Sequence, residues 1–453
     1  MVKGGLIGLL TLLLLWPLGQ VAGLVSEREA MRDAARTRIA ASVGERQWIG
    51  GPVLRVPVQR LRPRESGATV AGPGDATVPA PPAADAWEDA PPVYLRAAEL
   101  DVDGMLRTAL LSRGLYRIPT YEATLRLRGR FGAVAAASGA LAGAHERLVW
   151  SQARLVVPLA ALGSIRRIER FMLDEAALAT VGDEFLQGRA LAGPAPLVEG
   201  QRERELTFEV VVVLSGSEAL DVVPLAAAST IALRGDWPHP DFSGAESPAR
   251  REVGATGFAA NWSSTRLRWT LPEAWRGEPI GIEGLRAGAS GVALFQPLDL
   301  YALNYRAVRH GVLFVAVTFL ALFAWEHATR GVRLHPMQYL LVGLALAVFF
   351  LLLLALSEHL GFAIAYAIAA TALVGLVGVY VAGVAASRRV ALAMSAALAA
   401  AYALLYAILA SEDHALLLGA LTVFTTLATL MLATRRFDWW KAGGPSDPQA
   451  SGR

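Results

Sequence analysis

The sequence predicts a membrane protein that combines a six-helix transmembrane bundle with one large β-rich, sandwich-like external domain. Five closely spaced apolar runs fill the last third of the chain, and the short loops between them alternate between basic and acidic. A long middle segment instead alternates apolar and polar residues with the period of a strand. The composition agrees, because 54% of the 453 residues are hydrophobic and only 18% are charged, below the roughly 25% of globular domains.

The composition also limits the chemistry. The formal net charge is only +3, so electrostatics give no support for a nucleic-acid partner. The chain has no Cys, which excludes disulfides, thiolate metal sites, Cys nucleophiles and lipid anchors on Cys. The partner that the composition does predict is the lipid bilayer.

The first apolar run extends from about Gly4 to Val25, which matches the ~20 residues that a membrane span needs. A cleaved signal peptide is the alternative, but the run is longer than the ~7–15 apolar residues of such a segment. We therefore predict that residues 1–25 are a retained transmembrane helix. The alternating charges of residues 26–38 predict a helical extension of this span, with Ser26 as its N-cap.

Five further spans are predicted within the membrane region 309–434. They lie near 309–327, 337–356, 361–386, 390–410 and 414–434. Because Lys and Arg in short loops favour the cytoplasm, the basic loops 328–336 and 387–389 and the tail 435–453 are predicted to be cytoplasmic. The same rule places the N-terminus in the cytoplasm and the segment 26–308 on the external side.

The external segment 26–308 is predicted to be one β-rich domain. Alternating patterns predict strands at 52–58, 100–103, 124–128, 147–150, 154–157, 205–214, 230–233 and 266–269. Its prolines make 52–58 a candidate edge strand, and the Pro-, Ala- and Gly-rich stretch 63–92 predicts a flexible loop. Beyond the helical extension at 26–38, residues 173–188 favour one further helix.

A group of polar residues is predicted at the external rim of the bundle. It comprises Arg306, His310, Glu358, His359, Glu412, Asp413 and His414. The two acidic loops of this region are 357–360 and 411–413, both predicted on the external side. In one interpretation, their Ser and acidic residues cap the helices that follow. The alternative is a polar pocket that joins the β domain to the bundle and binds a cation or a lipid-linked ligand.

Arg306 lies on the external side, against the charge rule, and so calls for a carboxylate partner. We expect it to pair with Glu358, Glu412 or Asp413. The side chains of the three histidines are expected nearby.

No established catalytic or cofactor-binding pattern occurs. The sequence has no convincing H-E-x-x-H, G-x-S-x-G, P-loop or G-x-G-x-x-G motif. His239, between Pro238 and Pro240, has no companion ligands at metal-site spacing and is interpreted as part of a rigid turn. Ionisable groups are predicted at the ends of the membrane helices, which argues against an ion-coupled transporter. We therefore predict no catalytic residue, metal or cofactor.

Several stretches form distinctive motifs. They are Gly50–Val58, Ser112–Tyr116, Gly235–Pro240 and Phe295–Tyr301 in the middle segment, and His335–Gly343, Ser357–Phe362 and Glu412–Gly419 in the membrane region. In this order they resemble the CreD family of bacterial inner-membrane proteins. The resemblance implies an integral inner-membrane protein with one periplasmic β-rich domain. It also implies a link to a two-component envelope response and to tolerance of colicins and cell-wall antibiotics, without any established chemistry.

Two classes of function follow as expectations. The first is a non-enzymatic inner-membrane protein that modulates envelope integrity through contacts with cell-envelope components or other inner-membrane proteins. The alternative is a transporter or an enzyme that acts on a lipid-linked envelope substrate. A polar cavity at mid-membrane depth would favour the alternative, and a closed, apolar bundle would favour the first.

Overall fold

The computed structural model describes residues 2–61, 69–71, 77–79, 87–242, 244–264, 272–277, 281–294, 300–328, 334–385 and 388–411, with scattered positions between 417 and 431. The chain divides into two compact units. The helical unit consists of Met1–Ala34 and Leu298–Arg453, and the β unit consists of Ala35–Pro297.

The helices are numbered in chain order over the described residues. They are α1 (Val2–Val43), α2 (Val134–Gly139), α3 (Phe185–Gly188), α4 (Glu199–Arg202), α5 (Ile282–Ala287), α6 (Leu300–Ala328), α7 (Pro336–Leu360), α8 (Phe362–Ala385) and α9 (Arg388–Ala410). Short 3-10 turns occur at Trp150–Gln152 and Leu162–Ser164.

The strands follow the same numbering. They are β1 (Gln47–Gly50), β2 (Val53–Leu61), β3 (Thr69–Ala71), β4 (Thr77–Pro79), β5 (Trp87–Arg113), β6 (Tyr116–Phe131), β7 (Glu146–Leu148), β8 (Arg154–Pro158), β9 (Ile165–Leu173), β10 (Ala176–Ala177), β11 (Val181–Asp183), β12 (Ala190–Pro194), β13 (Leu206–Ser217), β14 (Ala219–Val223), β15 (Ala226–Gly235), β16 (Pro240–Asp241), β17 (Arg250–Gly254), β18 (Gly257–Ser264), β19 (Ala274–Arg276) and β20 (Ser290–Leu294).

Four of the described helices are long and apolar enough to cross a membrane. They are α1 over Gly8–Val43, α7, α8 over Phe362–Val384, and α9. Helix α6 covers the predicted span 309–327 but is not one of the four. The predicted span 414–434 lies outside the described residues apart from scattered positions. The structure therefore confirms several apolar helices, while the number of six spans stays a prediction.

Helix α1 continues without a break from the apolar run into the charged segment behind it. The predicted helical extension over residues 26–38 is therefore confirmed. The prediction that Ser26 caps it was wrong, because Ser26 lies inside the helix. A helix that does not restart at this point has no unpaired N–H groups for a cap to satisfy.

Helix α7 begins with a capping box that the sequence encodes locally. His335 is the N-cap, and its Nδ1 accepts a hydrogen bond from the Met337 N–H at 3.2 Å. The Gln338 side chain accepts from the His335 N–H at 2.8 Å, and Pro336 occupies the first turn, where it is best tolerated. The resemblance motif His335–Gly343 is thus a helix start.

Aromatic side chains fill the core of the helical unit. Phe319, Tyr339, Phe349, Phe350 and Tyr402 are all at most 2% exposed. The rings of Phe349 and Tyr402 lie 4.7 Å apart in an edge-to-face arrangement, which aromatic pairs favour. The core is therefore apolar and closely packed along its described length.

Close packing also explains a glycine in the resemblance motif that begins α7. A Cβ at Gly343 would collide with Leu14 of α1 and Phe319 of α6. Small residues permit such close helix approach in membrane proteins. Gly343 therefore lets these side chains reach the backbone of α7.

The β unit contains a large mixed sheet of 14 described strands. Its main path runs β10-β9-β13-β6-β5-β2-β8-β12-β11, with β7, β15, β17, β18 and β19 attached to it. A second sheet has the order β1-β14-β20-β16, and β3 pairs with β4. Most pairs are antiparallel, but β1–β14 and β5–β15 are parallel. The predicted large β-rich domain is confirmed at this level.

Period-two alternation explains the central strands. On β6, Leu125 and Leu127 are fully buried, whereas the neighbouring arginines point to solvent. The run Val210–Val213 of β13 is buried on both faces, between 0% and 4% exposed, as the continuous valines predicted. Burial of these aliphatic side chains is the main term that stabilises the sheet.

Three predictions for this unit were wrong. Strand β2 is not at an edge, because it lies between β5 and β8. Residues 87–92 belong to β5 rather than to a flexible loop. Residues 173–188 form no single helix, since β10, β11 and the single turn α3 occupy most of them. The predicted strand 266–269 lies outside the described residues.

Candidate functional site

Polar side chains from three helices meet at one end of the helical unit. We call this group the rim cluster. It consists of Arg28 and Arg32 on α1, Tyr301 and Asn304 on α6, and Ser357 and Glu358 on α7. Most of them lie in the first turns of α6 or the last turns of α7, so the helix ends position them.

Asn304 and Ser357 form the buried centre of the rim cluster, each 1% exposed. The Asn304 amide donates to the Ser357 hydroxyl at 2.9 Å and to the Leu300 carbonyl at 2.7 Å. The Ser357 hydroxyl in turn donates to the Leu354 carbonyl at 2.9 Å. Each buried polar group thus has a partner, which avoids the cost of an unsatisfied donor.

Glu358 lies next to this pair, and its side chain is only 8% exposed. It accepts a hydrogen bond from the Tyr301 hydroxyl at 3.3 Å. The Nε of Arg28 lies 3.8 Å from its Oε1, and the guanidinium of Arg32 lies 5.6 Å from the centre of the Tyr301 ring. The carboxylate therefore connects α7 to both α1 and α6.

The capping interpretation of the first acidic loop was wrong. Ser357 and Glu358 lie in the last turn of α7, and α8 begins only at Phe362. Their side chains turn toward α6 and α1 instead of the N-terminus of α8. Gly361, with a φ of +78°, makes the turn between the two helices.

The structure partly places the other predicted rim residues. Arg306 is half-buried, and its carbonyl oxygen lies 2.8 Å from Nδ1 of His310, one helical turn on. His359 is exposed. Glu412, Asp413 and His414 lie outside the described residues. A carboxylate partner for Arg306 stays a prediction, since the cation described next to Glu358 is Arg28.

Among the residues that the structure describes, no group of three His, Asp or Glu side chains is arranged to hold a metal ion. The polar atoms of the rim cluster mostly contact one another or backbone groups. The arrangement can hold three helices together and can bring an anionic and a cationic side chain to one surface.

Sequence reasoning missed a second buried polar group in this unit. Glu326 of α6 is 7% exposed. It accepts hydrogen bonds from the Tyr339 hydroxyl at 2.9 Å and from the Leu334 N–H at 3.2 Å. The sequence signal for this group is a single acid near the end of a long apolar helix. Burial of an acid in a membrane helix costs free energy, so such a residue usually has a partner.

A small cavity lies beside Tyr339 and is lined mainly by apolar residues of α6, α7 and α8. Its lining includes Leu322, Val342, Val381 and Val384, with Gln338 and Tyr380 as polar members. The walls carry few groups that could bind a polar solute. Glu326 is not part of the lining.

The β unit has its own charged groups. Arg46 binds the buried Asp221 through two contacts, at 2.7 and 3.1 Å, beside an open cleft of about 340 Å³. Glu283 and Arg286 also line this cleft. The pair with Asp221 raises the pKa of Arg46, which stays cationic.

Comparison with known proteins shows the family. A family model described as inner membrane protein CreD matches residues 1–440. The chain belongs to the CreD family. The resemblance seen in the motifs is therefore confirmed, and with it membership of an inner-membrane protein family.

One relative of this chain has the same description. Inner membrane protein CreD of Escherichia coli (strain K12) is 41% identical over 249 residues. This match covers 54% of this chain and 54% of the relative, so the chain spans about half the length of the relative that it matches. The activity and partners of the whole protein are therefore matters for a proposal.

Proposed function

We propose that this CreD family member acts in the inner membrane to modulate the integrity of the cell envelope through binding, without catalysing a reaction. The partners we propose are the lipid bilayer and cell-envelope components or other inner-membrane proteins. The family membership supports the location, and the interior of the helical unit supports the non-catalytic mode.

The observation that carries this proposal is the apolar packing of the helical unit. Its described interior consists of aliphatic and aromatic side chains. The Asn, Thr, Glu and Ser side chains buried there, namely Asn304, Thr318, Glu326 and Ser357, all have hydrogen-bond partners within the unit. A transport path or an active site would instead need converging polar groups around an accessible cavity.

The test is a comparison of envelopes with and without the full-length protein. A strain that lacks its own copy would receive the protein, and cell-wall antibiotic sensitivity and the lipid-linked precursors would both be measured. We expect altered sensitivity with chemically unchanged precursors, together with photo-crosslinks from the β unit to an envelope component. A precursor that is converted only when the protein is present would contradict the proposal.

Two groups favour the alternative of a transporter or an enzyme. Glu326 is a buried acid in a membrane helix, and the buried hydroxyl of Tyr402 has no hydrogen-bond partner among the described residues. Under our proposal Glu326→Gln keeps the envelope phenotype, because the glutamine oxygen can accept from the Leu334 N–H while its NH2 group donates to the Tyr339 hydroxyl. Loss of the phenotype in a variant that is stable and correctly inserted would favour the alternative.

We further propose a topology with both termini in the cytoplasm and residues 26–308 in the periplasm. The alternation of basic and acidic loops supports it. Reporter fusions that are active only outside the cytoplasm should work after Gly200 and Glu358 and fail after Val332, Arg388 and Pro445. Activity after Arg388 would refute this threading, because Arg388 and Arg389 make that loop basic.

A further inference from the structure

The β5–β6 hairpin extends past the sheet to which it belongs. Strand β15 pairs with β5 as far as Leu106, and β13 pairs with β6 as far as Thr120. Beyond these points the described pairing is between β5 and β6 alone, up to Arg113 opposite Tyr116. We call residues 107–119 the hairpin tip. At ~3.3 Å per residue, its strands project by roughly 20 Å.

The base of the hairpin tip is firmly attached within the β unit. Asp236 accepts hydrogen bonds from the Thr108 N–H at 2.8 Å and from the Thr108 hydroxyl at 2.7 Å. Ile118 is 5% exposed and packs against Ala35 and Ile39. A two-stranded ribbon alone is marginally stable, so these contacts hold the tip in place.

The end of the hairpin tip exposes large apolar side chains. Leu110, Leu111 and Leu115 are 51%, 40% and 47% exposed. Successive residues of a strand point to opposite faces, so Leu110 and Leu111 are exposed on opposite faces of the hairpin, and α1 covers the face of Leu111 at Ile118. Gly114, with a φ of +62°, and Leu115 form the two-residue turn between β5 and β6, so Leu115 lies at the far end of the hairpin tip. Exposed apolar groups of this kind mark interaction surfaces.

The hairpin tip is also cationic. Residues 107–119 contain Arg107, Arg113 and Arg117 and no Asp or Glu. The adjoining sheet carries charges of both signs, because Arg130 there pairs with Glu99 of β5 and with Glu205, which directly precedes β13. The leucines and arginines therefore form a surface that attracts negative charge and has an apolar end.

We propose that the hairpin tip inserts into the headgroup region of a bilayer that contains anionic phospholipids. The leucines enter the boundary with the acyl chains, and the arginines bind the lipid phosphates. Arginine suits this position because its stem contacts apolar groups while its charge stays in the headgroup layer.

The absence of Cys from the chain makes a direct test practical. Leu115→Cys in the full-length protein would carry a polarity-sensitive fluorophore in nanodiscs of phosphatidylcholine, with or without phosphatidylglycerol. We expect a blue-shifted emission and quenching by brominated lipid when phosphatidylglycerol is present. Val198→Cys is the matched control, because Val198 is 67% exposed on another loop of the β unit and should report water in both lipids.

The charge requirement is tested by Arg113→Glu with Arg117→Glu in the Leu115→Cys background. We expect this variant to lose the blue shift, while an unchanged melting temperature shows that the fold is intact. A Leu115 label that stays as accessible to an aqueous quencher as the Val198 label would overturn the proposal. So would a label that is protected in native membranes but not in anionic nanodiscs, since the partner would then be a protein.

Discussion

The two units of this CreD family member treat charged and polar side chains in opposite ways. In the β unit, ion pairs are numerous and many lie on the exposed face of the large sheet, as Arg234 and Asp103 do at about half exposure each. In the helical unit, the described polar contacts are few, and Asn304, Glu326 and Ser357 are almost completely buried. Charged and polar side chains of the same kinds therefore form exposed ion pairs in the β unit and buried hydrogen bonds in the helical unit.

The difference follows from what surrounds each group. The two charges of an exposed ion pair already have favourable contacts with water before they pair. The pair therefore contributes only about 0–1 kcal/mol to the stability of the fold. A buried polar group has no water to return to, and removal of its partner leaves an unsatisfied atom that costs about 1–3 kcal/mol. Burial, rather than the number of contacts, should therefore rank the effects of substitution across the molecule.

The largest effect is expected at an exception within the β unit. Asp183 has a side chain that is 1% exposed, and it binds Arg55, Arg154 and the Phe185 N–H. Asp183→Ala should lower the free energy of unfolding by about 2–3 kcal/mol, since both arginines keep some access to water. Thermal unfolding of the full-length protein in detergent, followed by tryptophan fluorescence, would measure it.

Asp103→Ala is the matched control, because Asp103 pairs with Arg234 on the exposed sheet face. Its expected loss is below about 1 kcal/mol. If both variants lowered the melting temperature equally, burial would not be the deciding factor.

The next effect is expected at Glu326 in the helical unit. Glu326→Ala removes the acceptor for the Tyr339 hydroxyl and the Leu334 N–H, at an expected cost of about 1–3 kcal/mol. Tyr339→Phe should cost less, because it removes one donor and leaves a carboxylate that still binds the Leu334 N–H. The melting temperatures of the two variants in detergent test this order, and a larger loss for Tyr339→Phe would refute it.

The sequence predicted the regular parts of both units for identifiable reasons. The valines of β13 and the apolar runs of α7, α8 and α9 carry strong periodic or length signals. Pro91 and Pro92 misled the prediction for β5. They lie where the pairing with β2 shifts register between Val56 and Val58, an irregularity at which proline is tolerated.

The candidate site was less predictable. The Ser357 and Glu358 side chains are placed by the packing of α7 against α6 and α1, which depends on contacts far apart in the sequence. Their position shortly before the next apolar run therefore favoured N-caps for α8, which Ser357 and Glu358 do not form. Glu326 was missed because the partner that satisfies it, Tyr339, lies on the following helix.

A third effect depends on pH. Arg276 donates two hydrogen bonds to Glu146, and with the Gly143 N–H and Arg60 it holds the pKa of this carboxyl well below the ordinary value of 4.5. A carboxyl with a lowered pKa stabilises the fold above its ordinary pKa, and this stability is lost as the pH falls further. Glu146→Gln should therefore lower the melting temperature at neutral pH.

The difference in melting temperature between the wild type and Glu146→Gln should shrink as the pH falls below 4.5. The stabilisation that the wild-type carboxylate provides begins to be lost in that range. Glu169→Gln is a suitable control, since Glu169 contacts Arg167 on the same strand and is 41% exposed. A constant difference across the pH range would show that the Glu146 charge is not the cause.

The smallest effect is expected at the edge of the rim cluster. The Arg28 Nε lies 3.8 Å from Glu358, and the Arg28 side chain is 43% exposed. Water and salt screen such a contact, so a double-mutant cycle with Arg28→Gln and Glu358→Gln should give a coupling energy below about 1 kcal/mol.

Asn304→Leu should lower stability more than either single variant, because it leaves the buried Ser357 hydroxyl without that donor. Melting temperatures of the four proteins of the cycle and of Asn304→Leu, at low and high salt, would measure both. A coupling of several kcal/mol that resists salt would mean that this ion pair is shielded from water, and the contrast between the two units would then fail at this end of the helices.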